Sequence, residues 1–86
     1  GIEENAKDII QNVYPNPSNN LIFVELENKN SKHLIELLDL SGRVVLSDEI
    51  NTGKYTIEKG QLKAGTYIVK VSNEFGQATV QSVLFY

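Results

Sequence analysis

Thr66-Tyr67-Ile68-Val69-Lys70-Val71-Ser72 is the stretch whose reading decides the fold. Side chains alternate between the two faces of a strand, so Tyr67, Val69 and Val71 point one way while Thr66, Ile68 and Lys70 point the other. Its β-branched and aromatic residues fit a pleated, half-buried surface. The same logic governs residues 21–27, where Ile22, Val24 and Leu26 share one face and Glu25 and Glu27 take the opposite one. Residues 33–40 and 43–50 form a hairpin joined by Ser41-Gly42, because Gly42 adopts a positive φ without a Cβ clash. Leu and Ile fall at both parities of residues 33–40, which predicts a strand covered on both faces. Residues 54–58 make a short strand, and residues 9–14 make a first one that Pro15 and Pro17 end. Residues 76–86 make the last, linked to residues 66–72 through Asn73-Glu74-Phe75-Gly76 with Gly76 left-handed. Regularly spaced short strands with turn residues between them, and no sustained helical stripe, predict an all-β fold. The expected architecture is an Ig-like Greek-key β-sandwich of about seven antiparallel strands.

The chain has 86 residues, room for one domain with roughly 60% of its surface buried on folding. Cysteine is absent, so neither a disulfide nor a thiolate metal site reinforces the core. Eight Lys and Arg against 11 Asp and Glu leave a net charge of -3, the wrong sign for gripping a phosphate backbone. No nucleic-acid partner is expected. No apolar run exceeds four residues, as at 21–24, too short for a membrane span or the core of a signal peptide. An exported form of this chain is therefore expected to be part of a longer precursor. Residues 1–8 read as a linker, with Gly1 compatible with a cloning remnant, and residues 9–86 as the folded domain.

The inventory of reactive groups is thin. One histidine, His33, stands at a strand start where a solvated side chain is expected. No Ser, His and Asp are spaced to converge as a nucleophilic triad. Glu25 with Glu27, and Asp48 with Glu49, sit at outward or turn positions rather than as a buried acid and base pair. Asp48-Glu49 is also only a faint start on a cation site, which needs more oxygen ligands. No glycine-rich loop feeds a helix, so no phosphate cradle is expected. The reading is of a non-catalytic domain with no metal and no cofactor.

Three motifs remain: Val13-Tyr14-Pro15-Asn16-Pro17 ahead of a strand, Leu38-Asp39-Leu40-Ser41-Gly42-Arg43-Val44-Val45, and Leu62-Lys63-Ala64-Gly65-Thr66-Tyr67-Ile68-Val69-Lys70-Val71. Their order and spacing resemble the type A C-terminal sorting domain of the type IX (Por) secretion system, from about Val13 to the end of the chain. The resemblance implies a domain at the C-terminus of an exported cargo in Bacteroidota-type Gram-negative bacteria. It would mark folded periplasmic cargo for passage through the type IX translocon, with outer-membrane shuttle and sortase proteins as partners. A sortase-like cysteine protease would then remove it, cutting in or just before residues 1–8, and leave the cargo secreted or joined to an anionic lipopolysaccharide at the cell surface. The implied recognition residues are Tyr14, Pro15, Asn16, Pro17, Asp39, Ser41, Gly42, Leu62, Gly65 and Tyr67.

Each of these has a structural reading as well. Pro15 and Pro17 stiffen the chain and bias Tyr14 and Asn16 toward extended conformations. Gly42 and Gly65 serve turns, Asp39 accepts backbone hydrogen bonds in its turn, and Tyr67 is a core aromatic with its hydroxyl at the rim. In the tail, Val80, Gln81, Ser82, Val83, Leu84, Phe85 and Tyr86 combine β-propensity with absence of charge and of Pro. Two readings stand: an edge strand recognised by strand addition, or a final strand paired on both sides and buried. Many members of the family carry a lysine or two in the last strand; residues 81–86 have none. Outside the family, the alternatives are a carbohydrate-binding or adhesion sandwich of a secreted enzyme, and a structural spacer. The first is disfavoured by the absence of Trp and by aromatics that alternation turns inward.

Overall fold

A computed structural model describes residues 9–86, and the linker reading of residues 1–8 lies outside the described residues. Seven strands follow in order: β1 (Ile10–Tyr14), β2 (Leu21–Leu26), β3 (His33–Leu38), β4 (Val44–Ile50), β5 (Lys54–Glu58), β6 (Gly65–Asn73) and β7 (Ala78–Phe85). They form two antiparallel sheets, ordered β1-β2-β5 and β4-β3-β6-β7. Among the described residues no helix is long and apolar enough to cross a membrane. The chain passes between the sheets from β2 to β3, from β4 to β5 and from β5 to β6, which interlocks the central pairs in the Greek-key manner.

The core lies between the sheets. Ile22, Val24, Leu26 and Ile57 face it from one side, and Ile35, Leu37, Tyr67, Val69, Val71, Val83 and Phe85 from the other. Each such side chain contributes about 1.5–3 kcal/mol relative to an exposed one. The alternation read in residues 66–72 and 21–27 is the one observed.

β3 differs from expectation. His33, Ile35 and Leu37 are buried, whereas Leu34, Glu36 and Leu38 are only half-covered, because nothing among the described residues packs on the outer face of this sheet. The strand is covered on one face. That parity also overturns the solvated reading of His33, which is 3% exposed. The imidazole points inward with Ile35, and its Nδ1 lies 3.1 Å from the carbonyl of Ser31. Asp48 sits at an outward position within β4, as expected, and accepts a hydrogen bond from the Tyr55 hydroxyl across the two sheets at 3.2 Å. Burial, more than this bond, raises the Tyr55 pKa.

Candidate functional site

Antiparallel register fixes where the motifs meet. β3 pairs Leu38 with Ile68 of β6, and β6 pairs Gly65 with Phe85 of β7, so the β3–β4 turn, the start of β6 and the end of β7 share one end of the sandwich. Ser18 bridges Phe85 at the same end. The proline segment, the Asp39 turn, the start of the third motif and the last residues of the tail therefore converge on one pole. The described chain begins at the other pole, where Ile10 pairs with Leu26.

The Asp39 turn is built by its own carboxylate. Oδ1 accepts from the amides of Ser41 and Arg43, both at 3.0 Å, and from the Ser41 hydroxyl at 2.6 Å; Oδ2 accepts from Arg43 Nε at 3.2 Å. Gly42, at φ 91°, reverses the chain. Hydrogen bonding, from the Ser41 hydroxyl foremost and then the Arg43 amide, holds the Asp39 carboxyl below its ordinary pKa. Beside it, Tyr67 donates its hydroxyl to the Lys63 carbonyl at 2.7 Å and sets its ring edge-on to Phe85, with centroids 6.2 Å apart. Leu62 packs against the core, and Gly65 opens β6 at φ 148°. Between the Asp39 turn and residues 61–67 lies an open groove of about 490 Å³ with both Arg43 and Lys63 on its walls.

Residues 15–18 cross from the end of β1 to the free side of β7. The peptide bonds before Pro15 and Pro17 are both cis. Asn16 donates Nδ2 to the Ser82 carbonyl at 3.1 Å and accepts the Leu84 amide on Oδ1 at 3.0 Å, so one side chain pairs as a neighbouring strand would. Ser18 continues the pairing with its backbone, donating to the Leu84 carbonyl and accepting from the Tyr86 amide, both at 3.0 Å. Its hydroxyl donates to the Leu21 carbonyl at 2.7 Å, which turns the chain back into β2. This clasp is what the proline motif builds. Tyr14 stands apart from it on the outer face of the three-stranded sheet. Its hydroxyl donates to Glu25 at 2.8 Å, and this bond, ahead of the one from Asn12, lowers the Glu25 pKa.

Among the named strands β7 is paired by β6 alone and so lies at the sheet edge, with the clasp covering only its end. Val83 and Phe85 enter the core, while Val80, Leu84 and Tyr86 are exposed at 63%, 40% and 64%. The reading of a tail paired on both sides and buried is thereby set aside for residues 78–82, and replaced over residues 82–86 by the clasp. Only Tyr67 and Phe85 among the aromatics are buried, fewer than alternation suggests. Tyr14 and Phe23 pair on the surface at 5.6 Å, with Lys54 Nζ 4.8 Å above Phe23. Sequence reasoning misses Ser18 as a site residue because its partners lie at the far end of the chain, at Leu84 to Tyr86; its burial at 6% exposure is the structural sign.

A model of the secretion system C-terminal sorting domain matches residues 12–84. The chain belongs to this type IX sorting-domain family. The sorting domain's fold is shared with solved structures at low identity. One is a DUF3244 family protein with an immunoglobulin-like β-sandwich fold from Bacteroides vulgatus, at TM-score 0.75 and 16% identity, covering 92% of this chain and 86% of that one. Another is CopC from Methylosinus trichosporium OB3b, at TM-score 0.56 and 15% identity, covering 92% and 91%. These likenesses establish the sorting domain as an Ig-like β-sandwich. No curated protein sequence matches it. Membership implies a signal for export across the outer membrane and dealings with the type IX machinery.

Proposed function

We propose that this domain directs a folded periplasmic cargo, attached N-terminally, through the type IX translocon to the cell surface or the medium. It does so as a shape, performing no chemistry of its own. Residues 9–86 are the signal, and Tyr14, Pro15, Asn16, Pro17, Asp39, Ser41, Gly42, Leu62, Gly65 and Tyr67 set the surface read by the translocon and its outer-membrane shuttle. A sortase-like protease then cuts in or just before residues 1–8, leaving the cargo released or attached. The observation that carries this reading is the gathering of the proline segment, the Asp39 turn, the start of the third motif and the end of the tail at the pole opposite the start of β1. Cargo on the N-terminal side leaves that pole free to meet a receptor.

Fusing the whole chain behind a periplasm-directed fluorescent protein tests the proposal. Fluorescence at the surface or in the medium is expected only in a host with an active translocon. Periplasmic retention in that host, as in one lacking the translocon, overturns it. Mass spectrometry of the exported cargo is expected to place its last residue at or before position 8, and a last residue beyond Tyr14 refutes the cleavage site.

A further inference from the structure

Sheet edges are ordinarily blunted by charges, bulges or proline, since their unpaired backbone groups invite another strand. Three of the edges here are so treated. β1 has an irregular register between Ile10 and Asn12, β4 carries Asp48 and Glu49 with a register shift opposite Leu37 and Leu38, and β5 carries Lys54 and Glu58. β7 has none of these features: it pairs with β6 in unbroken register, without a charge or a proline.

Its free side divides into two sections. The clasp bonds show that Ser82, Leu84 and Tyr86 turn their backbone groups away from β6. The two-residue period of an antiparallel strand then sends those of Ala78 and Val80 the same way. From the Ser82 carbonyl onward, Asn16 and Ser18 satisfy the edge. Before it, the amides of Ala78, Val80 and Ser82 and the carbonyls of Ala78 and Val80 meet no partner among the described residues.

Building on the sorting reading, we propose that residues 78–82 are a docking edge for an extended, uncharged strand supplied by the type IX secretion machinery. Charge matching selects that chemistry. No charged side chain occurs from Phe75 to Tyr86, so a charged residue in the added strand would lose hydration without gaining a counter-ion from β7. Main-chain hydrogen bonds supply the affinity, and Val80, 63% exposed, offers an apolar cross-strand neighbour. The clasp fixes the far limit of the pairing, because Asn16 already occupies the position beside Ser82 and Leu84.

Val80→Pro tests this in the reporter fusion of the whole chain. It removes an outward amide and no bond to β6, and proline is accepted at an edge position whose N–H faces solvent. Export is expected to fall about tenfold, the equivalent of one backbone group left unpaired at the docked strand. Val80→Thr, which keeps the outward amide and the β-branched shape, is expected to lose less export than Val80→Pro. Should hydrogen exchange show that Val80→Pro loosens β6, Val80→Lys decides between the outcomes by guarding the edge with a charge. Unchanged export of both Val80→Pro and Val80→Lys overturns the proposal. So does concentration-dependent dimerisation abolished by Val80→Pro, which would make the occupant a second copy of this chain. Failure of the unsubstituted fusion to leave the periplasm instead contradicts the sorting reading itself.

Discussion

At the turn end of β7, Asn73 closes the β6–β7 hairpin: its Oδ1 accepts the amides of Phe75 and Gln77 at 2.9 and 3.0 Å, and its Nδ2 donates to Gln77 at 2.8 Å. At the tail end, Asn16 uses the same two atoms on Leu84 and Ser82, residues 68 and 66 positions away in the chain. The chemistry is identical and the reach is not. A side chain that bonds within four residues stabilises a turn that the local sequence already favours. One that bonds across the whole chain can act only once both sheets are formed. The tail is therefore held by tertiary structure, and the proline motif and the C-terminus depend on each other.

The largest effect separates anchored from open positions on β7. Phe85→Ala is expected to destabilise the domain by about 3–5 kcal/mol, because a ring wholly inside the core is lost. Val80→Ala on the open section should stay within about 0.5 kcal/mol. Urea denaturation of the two variants measures both, and equal losses would break the distinction between the sections.

A smaller effect distinguishes the two asparagines. Asn16→Ala and Asn73→Ala should each cost about 0.5–1.5 kcal/mol, since every bond concerned is exposed to water. Hydrogen exchange is expected to tell them apart by location. The Leu84 amide loses protection only in Asn16→Ala, and the Phe75 and Gln77 amides only in Asn73→Ala. Loss at both ends in either variant would mean that β7 opens as one unit.

The smallest effect compares Asn73 with Asp39. The Asp39 turn repeats the pattern of the Asn73 turn, with a backbone bond from residue i to i+4 and a left-handed glycine at i+3, but its acceptor titrates. A folded-state pKa held below the ordinary value of 3.8 means that the stabilisation is present above that value and is lost as pH falls through the depressed one. Protection of the Ser41 and Arg43 amides is expected to decline over that acid range, while the Phe75 and Gln77 amides respond only to global unfolding. Asp39→Asn should remove the pH response and keep the turn.

These contrasts also explain which features are legible in the sequence. Regularly spaced turn residues locate all seven strands, and period-two alternation gives the inward sets of β2 and β6, because both are local properties of the chain. The Asp39 and Gly76 turns are legible for the same reason. Residues 33–40 mislead because Leu34 and Leu38 are apolar at outward positions, and the parity that buries Ile35 reaches back to a polar residue, His33, that composition alone assigns to solvent. The clasp is out of reach. Asn16 and Ser18 look like ordinary turn residues, and only the register of β7 against β6 brings the tail to them.

The account places the sorting information at the pole where the clasp holds the tail, and the two asparagines offer its most direct test. Export of the fluorescent fusion is to be measured for Asn16→Ala and Asn73→Ala at a temperature where both variants are folded. The account predicts that Asn16→Ala loses export while Asn73→Ala leaves the cell as the unsubstituted domain does. Equal export of the two variants, or loss confined to Asn73→Ala, would contradict it.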